Sequence, residues 1–181
     1  MLFGVIFLMT AYLDNSATTP VCGEAVEAMK TAVTELWGNP SSLHQKGIEA
    51  DEMLENARSN IARRLFCRDD EVYFTSGGTE SNNLAVQGAA HAMRRRGRRI
   101  VTTSVEHPSI EETVKHLESE GFEVIRLGVD RKGRISEREL FDAVTPDTVL
   151  VSIMAVNNET GTVQPVEAAR TAVTRAESPG V

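Results

Sequence analysis

The stretch "RIVTTSVEHPSIEETVKHLESEGFEVIRL", Arg99–Leu127, decides the fold. Its two ends, "RIVTTSV" and "FEVIRL", have the pattern of β-strands. Between them, "PSIEETVKHLESEG" predicts a helix that Pro108 opens and Gly121 closes. A strand, a helix and a second strand in this order form the unit from which parallel sheets are built.

The same alternation continues on both sides of this unit. Upstream, "EVYFTS" predicts a strand and "NNLAVQGAAHAM" a helix. Downstream, Ser136 and Glu139 form a capping-box pattern that starts the helix "ERELFDAV". The apolar run "TVLVSIMAV" predicts a strand buried on both faces, and a last helix covers roughly 166–176. Strands alternating with helices predict an α/β fold, a three-layer αβα sandwich with a mainly parallel sheet.

The residues before this alternation predict two further helices and a loop. Apolar residues recur at helical spacing between Ala25 and Leu36, and again between Ala50 and Leu65. The segment between them, "GNPSSLHQKG" (38–47), is dense in Gly, Pro and Ser and predicts a loop.

The composition and charge of the chain argue against several functional classes. The chain has 181 residues, of which 41% are hydrophobic and 25% charged, as in ordinary globular proteins. The net charge of -7 argues against a general nucleic-acid binder, and the basic run "RRRGRR" (94–99) is typical of a helix end. Cys22 and Cys67 fit neither a disulfide framework nor a zinc site, which favours a reducing, cytoplasmic setting without a metal.

The first ten residues, "MLFGVIFLMT", are apolar but too few to span a bilayer, and no basic region precedes them. We therefore expect neither a signal peptide nor a membrane anchor. Met9 offers a second start, so the first eight residues can also be a misplaced gene start or a buried strand. We divide the chain into an N-terminal segment, 1–15, and a domain over 16–181.

Three polar clusters follow predicted strands, namely "SGGTES", "EHPS" and "NNETG". Ligands of parallel α/β sheets bind at the carboxyl ends of the strands, so these clusters predict a binding site. In the first cluster, Gly77 and Gly78 let a ligand approach the backbone at a helix N-terminus, where free N–H groups attract anions. Thr79 and Ser81 can add hydroxyl donors. An ordinary strand–turn–helix junction without a ligand has the same pattern.

The other two clusters contribute side chains that stack or form hydrogen bonds. His107 offers a flat imidazole or a proton shuttle, and the alternative is a helix cap. Asn157 and Asn158 carry amides that donate and accept, and the alternative is an Asx turn. His91 and His116 fall inside predicted helices and are interpreted as structural.

Five motifs in this order resemble the N-terminal half of a cysteine desulfurase, a class V aminotransferase-like enzyme that uses pyridoxal 5′-phosphate (PLP). They are "YLDNSATTP", "GNPSSLH", "FTSGGTESNN", "EHPS" and "VSIMAVNNETGTVQP". The resemblance implies the large domain of the fold-type I PLP enzymes, with residues 16–181 as an incomplete N-terminal part of it.

The resemblance also implies roles for individual residues. Gly78 and Thr79 match the pair that holds the cofactor phosphate, and His107 matches the histidine that stacks on the pyridine ring and helps to move protons. Asn158 matches the asparagine beside the cofactor's phenolic oxygen. The implied partners are L-cysteine as substrate, a second subunit in a homodimer of the complete enzyme, and a sulfur-acceptor or scaffold protein.

Other residues of the family pattern have no match in this chain. The family's covalent lysine, its nucleophilic cysteine, the aspartate for the pyridine nitrogen and the arginine for the substrate carboxylate lie further downstream. None of the chain's four lysines lies in a matching motif. We therefore expect the chain alone to be inactive. Two alternatives remain open: a selenocysteine lyase or aminotransferase of the same fold, and a non-catalytic fragment that binds phosphate or a partner chain.

Overall fold

A computed structural model describes residues 11–177 of the chain. The apolar run at residues 1–10, with its possible second start, lies outside the described part. The described residues form two compact units, one ending at Phe74 and the other beginning at Thr75.

The first unit contains two helices and one helical turn. Helix α1 covers Gly23–Thr34 and α2 covers Gln45–Leu65, as the apolar spacing predicted. A short 3-10 helix follows at Asp69–Glu71. His44 caps α2, because its Nδ1 accepts a hydrogen bond from the backbone N–H of Gly47 at 3.3 Å.

The predicted loop between α1 and α2 depends on its glycines. A Cβ atom at Gly38 would lie 1.9 Å from the carbonyl oxygen of Lys46, and one at Gly47 would lie 2.1 Å from that of Ser42. Neither backbone neighbour can yield as a flexible side chain would. Both glycines are therefore required by close backbone packing inside this unit.

The second unit is built on a parallel three-stranded sheet with the order β2-β1-β3. Helix α3 (Gly78–Met93) precedes β1 (Arg99–Thr103), and α4 (Pro108–Ser119) connects β1 to β2 (Glu123–Leu127). Helix α5 (Glu137–Ala143), strand β3 (Thr148–Val151) and helix α6 (Val166–Glu177) complete it. The strand–helix–strand unit predicted from Arg99–Leu127 is confirmed, with Pro108 in the first turn of α4.

Helices cover both faces of this sheet. Ile100 points into one core with residues of α3 and α4, while its neighbour Val101 points into a second core with residues of α5 and α6. Successive residues of a strand face opposite sides of a sheet, so adjacent residues of β1 pack against the two different helix layers. The α/β class and the three-layer arrangement are confirmed.

Two predictions about strands are wrong. The segment "EVYF" forms the end of the 3-10 helix and an irregular stretch, and no strand in the described part of the chain pairs with it. The side chain of Arg58 contacts this stretch instead. It donates a hydrogen bond to the carbonyl oxygen of Val72, and its guanidinium carbon lies 5.1 Å from the centre of the Phe74 ring. A β-strand forms hydrogen bonds with the backbone of a neighbouring strand, whereas here the carbonyl oxygen of Val72 accepts from a side chain.

The second wrong prediction concerns the run "TVLVSIMAV". Only Thr148–Val151 form a strand, and all four residues are half-buried rather than buried. Strand β3 pairs with β1 on one side, and its other edge has no partner among residues 11–177. An unpaired edge keeps part of each residue accessible, which an apolar run does not reveal.

Candidate active site

The loop after β1 places His107 at the N-terminus of α4. His107 is the N-cap residue, with extended backbone angles, and its ring nitrogen Nδ1 accepts a hydrogen bond from the Ser109 N–H at 3.1 Å. The same Nδ1 lies 2.8 Å from the Ser109 hydroxyl oxygen. The cap and the exposure of His107 are compatible, because the cap engages only Nδ1 and the residue remains exposed.

Asn82 connects α3 to this histidine. Its amide nitrogen Nδ2 donates to the hydroxyl of Ser109 at 2.8 Å, so a continuous path of hydrogen bonds runs from α3 to His107. Next to it, Thr113 donates to Asn83 Oδ1 at 2.8 Å. Ser109 and Thr113 are buried, and these contacts hold the first two turns of α3 and α4 together.

Glu106 and Asn157 connect the loop after β1 to the loop after β3. A carboxylate oxygen of Glu106 accepts from the backbone N–H of Met154 at 2.8 Å and from the Thr103 hydroxyl at 3.0 Å. Burial raises the pKa of Glu106, and these two hydrogen bonds only partly oppose the effect. In the opposite direction, Asn157 Nδ2 donates to the carbonyl oxygen of Val105 at 3.2 Å.

The two asparagines that the sequence singled out have different settings. Asn157 Oδ1 accepts from the backbone N–H groups of Glu159 and Thr160, at 3.0 and 2.9 Å, so it forms the Asx turn named as its alternative. The turn lies in a hairpin closed by a bridge between Val156 and Val163. Asn158 is exposed, and its side chain has no hydrogen-bond partner among the described residues.

The N-terminus of α3 is open. A Cβ atom at Gly77 or Gly78 would meet no protein atom within 4 Å, so packing against the protein does not explain either glycine. Thr79 is exposed. The hydroxyl of Ser81 is not free, because it lies 2.7 Å from that of Thr75.

A carboxylate lies near this helix N-terminus. Glu80 accepts hydrogen bonds from the backbone N–H and the hydroxyl of Ser76, at 2.7 and 2.5 Å, which lower its pKa. A negative charge in the first turn of a helix is favourable, and the charge of Glu80 also repels an incoming anion.

Sequence reasoning missed Glu106, Ser109 and Asn82, although all three lie within quoted motifs. The one available signal was the density of small and polar residues around Gly78 and His107. Their partners are 27 to 48 residues away in sequence, so no local pattern identifies them.

The histidines interpreted as structural do have structural partners. His91 Nε2 lies 2.6 Å from a carboxylate oxygen of Glu120, and His116 Nε2 lies 3.3 Å from the other oxygen. Both cysteines are free thiols. Across residues 11–177, no group of three or more acidic, histidine or cysteine side chains is arranged to hold a metal ion. Over the same range, each helix is too short or too polar to cross a bilayer.

The model of the family "Aminotransferase class-V" matches residues 11–178, nearly the whole chain. The chain belongs to this family. This match confirms the resemblance to the class V aminotransferase-like enzymes.

The relatives that the chain matches include cysteine desulfurases. The chain is 49% identical over 156 residues to the cysteine desulfurase IscS of Methanosarcina thermophila, covering 86% of this chain and 39% of that protein. A solved structure of a NifS-like protein superposes with a TM-score of 0.86 at 43% identity, covering 93% of this chain and 46% of the other. A structure of SspA in complex with cysteine gives a TM-score of 0.83 at 37% identity, covering 94% and 49%. The chain spans about 40% of the length of the curated relatives it matches.

Proposed function

We propose that the chain is the N-terminal part of the PLP-binding large domain, residues 16–181, of a cysteine desulfurase. One observation carries the proposal: hydrogen bonds join the three polar clusters into one assembly. The hydrogen bond from Asn82 to Ser109 connects α3 with the loop that contains His107. The hydrogen bond between Glu106 and Met154 connects that loop with the segment before Asn158. A chance set of turns does not require such contacts between them.

The open N-terminus of α3 fits a phosphate group. The N–H groups of the first helical turn have no intrahelical partners, and the helix dipole favours a negative charge there. Because a Cβ at Gly77 or Gly78 would meet only open space, the space beside the backbone is left for a ligand. Thr79, exposed in the same turn, supplies a hydroxyl donor. Gly78 and Thr79 are the residues that we assign to the cofactor phosphate.

His107 and Asn158 would orient the ring of the cofactor. His107 is held at one ring edge by Ser109, so its face is available for stacking on a flat aromatic ring. Asn158 follows the Asx turn of Asn157, which fixes its backbone and leaves its amide free to donate to a ring oxygen. When bound, PLP supplies an electron sink for bond rearrangement at the substrate's α-carbon.

The relatives also support a proposal for the substrate. Cysteine in the SspA complex and the desulfurase activity in the name of the Methanosarcina relative support L-cysteine as the substrate. We further propose transfer of its sulfur to a protein acceptor for iron–sulfur cluster or thio-cofactor synthesis, a homodimer as the active form, and the cytoplasm as the location.

The phosphate site can be tested with pyridoxine 5′-phosphate. This compound carries an alcohol in place of the aldehyde of PLP, so it cannot react with surface lysines. We expect it to bind the chain more tightly than pyridoxine does, as followed by ring fluorescence in a titration. Gly78→Asp should abolish this preference, because its carboxylate would face the phosphate at the helix N-terminus. Thr79→Ala should weaken phosphate binding by about 1–3 kcal/mol, the value of one hydrogen bond to a charged group.

Gly78→Ala is the matched control. The added methyl group meets no protein atom within 4 Å, so this variant tests the backbone change without the charge. If Gly78→Asp binds pyridoxine 5′-phosphate as well as Gly78→Ala does, the phosphate does not bind at the N-terminus of α3.

A further inference from the structure

Ser109 makes two hydrogen bonds to the same nitrogen of His107. Its backbone N–H donates to Nδ1 at 3.1 Å, and its hydroxyl oxygen lies 2.8 Å from that atom. An N-cap needs only the first of these bonds. The second involves a side chain that is 7% exposed and that a residue of another helix, Asn82, also contacts.

The proton of the Ser109 hydroxyl has one available acceptor in this arrangement. The amide nitrogen of Asn82 carries only hydrogens, so it donates to the hydroxyl oxygen and cannot accept from it. Thr113 contacts the backbone carbonyl of Ser109 rather than its hydroxyl. The hydroxyl proton is therefore directed to His107 Nδ1.

A ring nitrogen that accepts two hydrogen bonds carries no proton of its own. A neutral imidazole has one N–H, so the proton of His107 lies on Nε2. His107 is exposed, and its Nε2 has no hydrogen-bond partner among residues 11–177, so the histidine presents a hydrogen-bond donor to the site.

We propose that Asn82 and Ser109 are positioning residues that hold His107 in the tautomer with its proton on Nε2. The direction of the relay sets the tautomer: Asn82 donates to Ser109, and Ser109 donates to Nδ1. The role of this tautomer rests on the proposed function, in which His107 stacks on the cofactor ring and offers an N–H to a bound group. The relay itself is a property of the chain without any ligand.

The tautomer can be read directly by long-range ¹H–¹⁵N NMR of the histidine rings of the ligand-free chain. The spectra are recorded at about pH 8, above the usual titration range of histidine. His107→Gln identifies the His107 signals among those of the four histidines. We expect Nδ1 of His107 to give a signal without an attached proton and Nε2 one with a proton.

Two variants change the relay in different ways. Ser109→Ala keeps the backbone cap and removes the hydroxyl, and we expect the ratio of the Nε2–H to the Nδ1–H tautomer to fall about five-fold, the equivalent of one hydrogen bond. Asn82→Asp has almost the same shape but its carboxylate accepts the Ser109 proton. The hydroxyl oxygen then faces Nδ1 with a lone pair, so the Nδ1–H tautomer should increase further than in Ser109→Ala.

Ser104→Ala is the control, since it makes the same change on an exposed residue of the same loop. We expect its ratio to equal that of the unmodified chain. An unchanged ratio in Asn82→Asp, with the backbone amide spectrum preserved, would overturn the proposal and leave the backbone cap as the only determinant. Because Asn82→Asp conserves size and shape, this test stands even if Ser109→Ala fails to fold. A chain that shows the single tautomer but does not bind pyridoxine 5′-phosphate would contradict the proposed function and keep the relay.

Discussion

Among single residues, Glu106 combines a half-buried carboxylate with a position next to His107. Burial raises its pKa above the ordinary value of 4.5, so the folded chain binds this proton more tightly than the unfolded chain does. The stability linked to that proton is complete below the unfolded pKa. It is lost as the pH rises through the folded pKa.

Glu106→Gln should therefore stabilise the fold at neutral pH. The amide oxygen of glutamine can accept the same hydrogen bonds from Met154 and Thr103 without the cost of a buried charge. We expect Glu106→Gln to raise the free energy of unfolding at about pH 7 and to leave it unchanged at about pH 3.5, where both side chains are neutral. Urea denaturation followed by circular dichroism measures both values.

Asp130→Asn is a control of opposite sign. The backbone N–H groups of Lys132 and Arg134 donate to Asp130 at 2.8 and 3.0 Å and lower its pKa, so its contribution to stability is lost as the pH falls. We expect Asp130→Asn to be less stable than the parent at neutral pH, with the difference disappearing in acid. A Glu106→Gln variant that behaves like Asp130→Asn would refute this account of the Glu106 carboxylate.

A second prediction concerns Thr102, in the central strand of the sheet. Its hydroxyl is fully buried and is the one buried side-chain polar atom without a partner among residues 11–177. Valine has nearly the same shape and no polar atom, so Thr102→Val should stabilise the fold by about 1 kcal/mol. Thr113→Val makes the same change where the hydroxyl bonds Asn83 and the Ser109 carbonyl, and should cost about 1–3 kcal/mol. A loss of stability in Thr102→Val would mean that its hydroxyl has a partner.

At the scale of helices and strands, the predictions from sequence succeeded where a pattern is local. The helices α2, α4 and α6 repeat apolar residues at helical spacing, and Ser136 caps α5 through the Glu139 N–H at 3.4 Å. The strand predicted at "EVYF" failed because its existence depends on a neighbouring strand, which a local pattern does not encode. Strand β3 was overestimated for a related reason, since its exposed edge is a property of the sheet.

Close packing at the turn between α3 and β1 gives a prediction about the stability of the fold. A Cβ at Gly97 would lie 2.0 Å from the carbonyl oxygen of Asp147, so the turn before β1 is packed against the backbone just before β3. Gly97→Ala forces these segments apart, and we expect it to destabilise the fold by about 1–3 kcal/mol. Gly88→Ala is its counterpart within α3, where the methyl group meets nothing within 4 Å, and should stabilise by about 0.5–1 kcal/mol. Equal effects of the two substitutions in thermal unfolding would contradict the packing described for Gly97.

At the scale of the whole molecule, the sequence could locate the clusters of the candidate site but not the contacts that join them. Gly78, His107 and Asn158 were identifiable because each lies in a motif at the end of a predicted element. The contacts that bring the clusters together connect residues 27, 48 and 52 positions apart, through Ser109, Glu106 and Asn157. They arise only when the strands have taken their order in the sheet, so they belong to the fold rather than to any motif.

The four lysines of the chain give the last prediction, which concerns reaction with PLP itself. Three of them are paired with carboxylates: Lys30 with Glu27 at 2.7 Å, Lys46 with Glu49 at 2.8 Å, and Lys115 with Glu112 at 2.7 Å. Glu112 raises the pKa of Lys115, and a protonated amine is not a nucleophile. We therefore expect slow, substoichiometric labelling spread over the four lysines after incubation with PLP and borohydride reduction, as located by digestion and mass spectrometry. Glu112→Gln should increase the labelling of Lys115 relative to the other three, which serve as internal controls. Stoichiometric labelling of one lysine, together with sulfide release from cysteine and a reductant, would show instead that this chain carries its own covalent cofactor site.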